Sequence, residues 1–129
     1  MAGTITQALT VLGHGDILNA TKKELLISWV ADASNGSVPQ LAITNHDGWY
    51  LTGADTVPGV AVAPTANYDI TLLSANSIDL ADGSLTNRAA STNETAIFTA
   101  RIPSGGFAFT LANNVVNSAT GKCKLFLSK

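Results

Sequence analysis

Tyr68-Asp69-Ile70-Thr71-Leu72-Leu73 decides the fold class. Tyr68, Ile70 and Leu72 alternate with Asp69, Thr71 and Leu73, the period of two that belongs to a strand with one buried face. Turn-forming pairs follow at Asn76-Ser77 and Asp82-Gly83. Between them Ile78, Asp79 and Leu80 read as a second short strand. A polar loop then runs through Asn87 and Arg88. Nothing in residues 63–88 has the character of a nucleophile, a general base or a metal cage.

The same alternation recurs on both sides. Residues 22–31 form the clearest strand, with Leu25, Ile27 and Trp29 on one face and Leu26, Ser28 and Val30 on the other. Thr21 and Glu24 have capping-box spacing, but the β-branched and aromatic content of 27–30 favours a strand over a helix. Residues 5–12, 40–44, 49–52 and 95–102 read as further strands, with Ile97 and Phe98 as anchors of the last. Phe107, Phe109 and Leu111 mark a one-faced strand, and residues 122–127 close the chain. Gly, Pro, Asn and Asp punctuate these runs, at 45–48, 56–59 and 103–106 among other places. About eight to ten short strands with regular turns predict one all-β domain over residues 1–129, an antiparallel sandwich or barrel. Residues 1–7 read as an extended N-terminal arm.

Composition narrows the function. The chain has 129 residues, 46% of them hydrophobic and only 12% charged, with a net charge of −2. The charged share is about half the usual one, and Ser, Thr, Asn and Ala take its place. Such a surface suits polar contacts with other proteins. Lys and Arg are scattered apart from Lys22-Lys23 and Lys122/Lys124, so no basic face for nucleic acid is expected. Lys22-Lys23 reads as a solvated turn entering a strand. No basic start with an apolar run precedes the first strand, and no apolar run reaches membrane-spanning length. The expectation is a protein made in a cytoplasm, with neither leader nor membrane contact.

Catalytic and metal chemistry find little support. His14 and His46 each lie in a Gly/Asp turn, and only their meeting in space would create a metal site. No nucleophile elbow, phosphate loop or calcium loop is present. No cofactor is expected, and the chain reads as a non-enzyme. Cys123 is the lone cysteine; its period-two partners Leu125 and Leu127 mark it as a buried apolar side chain. Trp29 sits among apolar neighbours and reads as core. Within Trp49-Tyr50 one ring must point outward if the segment is a strand, and that ring is the best single candidate for a binding contact.

Residues 63–73, then Ile78, Asp79, Gly83, Asn87 and Arg88, resemble a recurrent family of small tailed-bacteriophage virion proteins. Residues 109–127 resemble the same family's closing strands. The resemblance implies a structural protein of the particle, of the capsid decoration (cement) type, sitting on the outer capsid surface. Its implied partners are the major capsid protein or other virion proteins and further copies of itself, with a trimer as the symmetry that threefold decoration sites favour. Trp49, Tyr50, Asn87 and Arg88 are the expected partner contacts. A neck, tail or fibre-base component and a carbohydrate-binding β-sandwich are the competing readings.

Overall fold

The computed structural model describes residues 2–12 and 21–129. Eight strands form among them: β1 (Thr4–Leu12), β2 (Lys22–Val30), β3 (Leu41–Ile43), β4 (Tyr50–Pro58), β5 (Asp69–Leu73), β6 (Glu94–Arg101), β7 (Phe107–Ala112) and β8 (Thr120–Ser128). They make two antiparallel sheets, one ordered β1-β2-β8-β4-β6 and the other β3-β7-β5. Neither sheet closes on itself, so the fold is an all-β sandwich and not a barrel.

Alternation places the core between the layers. From the larger sheet Leu25, Ile27, Trp29, Leu51, Cys123, Leu125 and Leu127 point inward. From the smaller one Ile43, Ile70, Leu72, Phe107, Phe109 and Leu111 meet them. Ile70 pairs with Leu111 and Leu72 with Phe109 across β5 and β7, so the strand expected from 107–111 shares its buried face with 70 and 72. Gly121 lies opposite Trp29 in the β2–β8 register. A Cβ there would run into the indole ring, so the missing side chain is what lets the tryptophan lie flat across β8.

The structure corrects four local expectations. Residues 78–80 are not a strand: only Asp79 pairs, in a single bridge to Leu73, while Ile78 is irregular and Leu80 begins a turn. Asp79 instead uses its carboxylate to collect backbone donors, as described below. Second, β4 does not stop at Thr52 but runs on to Pro58. Gly53 shifts the register against both neighbours, and its bare Cα lets the Ala96 carbonyl approach to where a Cβ would stand only 2.6 Å away. The weak strand formers of 53–55 are carried by pairing on both sides with β6 and β8.

Third, Ile97 and Phe98 do not both anchor β6. They are successive residues of one strand and face opposite ways: Phe98 is 9% exposed and Ile97 86%. Fourth, Lys22 and Lys23 lie inside β2, not in a solvated turn. Lys22 is exposed, whereas Lys23 points into the core side and is buried.

Candidate interaction surface

The loop after β5 is held by its own polar groups. Asp79 Oδ1 accepts from Leu72 N at 2.9 Å and Ala81 N at 3.1 Å, and Oδ2 accepts from Gly83 N at 2.9 Å. Leu80 N donates back to Leu72 O, and Ile70 N to Leu85 O. The loop therefore covers the free edge of β5 with hydrogen bonds, and Ala81 and Leu85 drop into the core. Further on, Tyr68 and Arg88 pair as an isolated bridge. Asp69 accepts from Asn87 N at 2.8 Å and also holds the Asn113 side chain. Residues 63–88 and the closing segment are thus stitched into one unit.

The four expected contact residues divide. Tyr50 is exposed on the outer face of the larger sheet, opposite Arg101 and Ser128. Asn87 is exposed in a left-handed backbone conformation, φ 55°. Trp49 is buried, with the Lys23 ammonium 3.9 Å from its ring centroid. Arg88 is drawn inward: its Nε donates to Thr86 O, and its guanidinium lies 3.8 Å from Glu94. Tyr50 and Asn87 are exposed to solvent, whereas Trp49 and Arg88 are packed into the scaffold. Trp49 has no free face on which a sugar ring could stack.

Lys23, Lys129, Trp49 and His46 meet at one corner. Burial, and then the charge of Lys129, hold the Lys23 ammonium below the usual lysine range. Burial and Lys23 likewise lower the His46 pKa, and its Nδ1 is buried without a partner. His14, the other half of the suggested metal pair, lies outside the described residues. Among the described residues no group of three His, Cys, Asp or Glu side chains could hold a metal, and no helix is long and apolar enough to cross a membrane.

Sequence reading missed the charge layout. All five lysines fall on β2, β8 or the residue after β8, because those distant segments are sheet neighbours. Glu24 and Asp55 interleave with them: Lys124 lies 3.6 Å from Glu24 and pairs with Asp55 in the β4–β8 register. A groove of about 440 Å³ opens beside them between the start of β1 and residues 58–60, with Thr4, Ser28, Val30, Pro58, Val60 and Gly121 among its lining residues. Val60 is 99% exposed and Val115 74%. Single exposed apolar side chains of this kind are ordinary, and no titratable cluster accompanies the groove.

No protein-family profile matches the chain, and no curated protein matches it. Two solved structures are similar in shape. One is the acidic stable capsid of Helicobacter pylori bacteriophage KHP30, with 11% identity and a TM-score of 0.43, covering 100% of this chain and 89% of that one. The other is the capsid asymmetric unit of cyanophage Pam1, with 12% identity and a TM-score of 0.40, covering 98% and 84%. Both are phage capsid structures.

Proposed function

We propose that this protein is a structural component of a tailed-phage particle that binds the outer capsid surface as a decoration (cement) protein, without catalysis. The observation that carries the reading is the use made of the phage-like segments. Tyr68, Ile70 and Leu72 build the core. Asp69, Asp79 and Arg88 build the loop. Apart from the exposed Ile78 and Asn87, the named side chains of the resemblance serve the scaffold, and none has the character of a reacting group. What remains for a partner is a low-charge surface of Ser, Thr, Asn and single apolar side chains, with Tyr50 and Asn87 the favoured contacts to the major capsid protein. The protein acts as a homo-oligomer in the particle, takes no cofactor and contacts neither nucleic acid nor membrane. Many identical copies make even a modest contact cohesive.

Purified protein added to capsids that lack it tests the reading. Saturable binding over the whole head, with a higher temperature of capsid rupture, is expected. Binding confined to one vertex transfers the protein to the neck or tail, and no binding to any particle contradicts the proposal.

A further inference from the structure

Three of the four sheet edges are covered, short or guarded. The edge at β5 is occupied by its own loop. The edge at β3 is three residues long. The edge at β6 carries Glu94 and Arg101 at its two ends. The fourth, β1, has nine residues with no charge, no proline and no register shift against β2. No residue of β1 is buried. Among the described residues no backbone hydrogen bond reaches its free side; Gln7 Nε2 donates to Ala42 O at 3.4 Å, across to β3 of the smaller sheet. Long, uncharged edges without proline or bulge are the kind that pair with another strand.

We infer that β1 pairs with β1 of a second copy, antiparallel about a two-fold axis at Ala8. The sequence of the strand is what selects a copy of itself as the occupant. Strands related by such an axis must match inner face to inner face, and centring on Ala8 is the register that pairs all nine residues. On the inner face, the side shared with buried Trp29, Ile27 and Leu25, Ile5 meets Val11 and Gln7 meets Leu9. On the outer face Thr6 meets Thr10, Thr4 meets Leu12, and Ala8 meets itself. Ile5–Val11 is an apolar pair, Thr6–Thr10 a hydroxyl pair and Ala8–Ala8 a small one; Gln7–Leu9 and Thr4–Leu12 set an uncharged polar side chain against leucine, and no charge faces its own image. Leu9, 42% exposed in the single chain, gains a cover. The two five-stranded sheets join into one continuous sheet.

The test is independent of the capsid reading, because it needs only the purified chain. Light scattering should give twice the 13.3 kDa chain mass. Ala8→Lys and Ala8→Glu each place a like charge on the axis and should each weaken the dimer at least about fivefold at low salt, whereas an equimolar mixture of the two should restore it. Ala8 is exposed, so both variants should fold, as circular dichroism would show. Ala8→Cys, a near-native change, should crosslink to itself on mild oxidation. A monomer or trimer by mass, a dimer indifferent to both charges, or no crosslink overturns the inference. A monomer would leave β1 free for a strand of a different protein.

Discussion

Trp29 of β2 and Tyr68, the residue that leads into β5, meet edge to face, with ring centroids 5.9 Å apart and planes at 62°, and so tie the larger sheet to the entry of the smaller one. The Tyr68 hydroxyl makes no hydrogen bond although fully buried. Burial pushes the phenol up to about 12, ahead of the effect of the nearby Cys123; the Thr56 hydroxyl offsets this in part without forming a bond of ordinary geometry. An unpaired buried hydroxyl is a cost, while the ring is a gain. Tyr68→Phe should therefore leave stability unchanged or raise it by about 1 kcal/mol, and Tyr68→Ala should lower it by about 3–5 kcal/mol. Denaturant titration of both variants separates ring from hydroxyl.

Phe109 is fully buried and faces Leu72 and Leu41 across β7's two neighbours. Phe109→Ala should cost about 3–5 kcal/mol. Against about 5–15 kcal/mol for a whole domain, most of the protein should become insoluble or melt far earlier. Thermal unfolding of what remains soluble provides the number.

Asp79 holds three backbone donors of the β5 loop. Asp79→Ala leaves Leu72 N without its acceptor in a part-buried position and should cost about 2–3 kcal/mol. The loop should then lose amide-exchange protection at Leu72, Ala81 and Gly83 before the larger sheet does.

The raised thiol of Cys123 and phenol of Tyr68 contribute an alkaline flank to stability, and the lowered His46 an acid one. Burial, first among its causes, pushes the Cys123 thiol up from 9.0 to about 12. The folded state thus binds a proton that the unfolded state releases. The corresponding stability is intact below pH 9 and declines between there and about 12. His46 shifts the other way: its pKa is lowered mainly by burial, so the unfolded chain binds the extra proton and stability falls as pH drops below 6.5. Chemical unfolding across pH should show both flanks, and His46→Gln should flatten the acid one. A maleimide should leave Cys123 unmodified until the protein unfolds.

Strand alternation made much of this architecture legible. Leu25, Ile27 and Trp29, and Phe107, Phe109 and Leu111, each declared a buried face that the structure confirms. What sequence could not show is which strands become neighbours. The pairing of β2 with β8 gathers the lysines, and the placement of β4 between β6 and β8 sustains a strand through Gly53. The Trp49-Tyr50 pair announced one outward ring but not which one. That choice follows from Leu51, the residue after Tyr50 and so on the opposite face of the strand, which is drawn into the core opposite Leu127, leaving Tyr50 outward. Trp49 precedes the strand and is turned in beneath Lys23. Arg88 looked like a contact because it is a cation in a polar loop; its bridge to Tyr68 and its nearness to Glu94 depend on segments that meet only in the folded chain.

The central claim concerns the particle, and the number of copies per virion tests it most directly. Quantitative mass spectrometry of purified particles, scaled to the major capsid protein, should return hundreds of copies distributed as an icosahedral surface lattice requires. A single ring of about 6 or 12 copies would contradict a decoration role and place the protein at a vertex or in the tail.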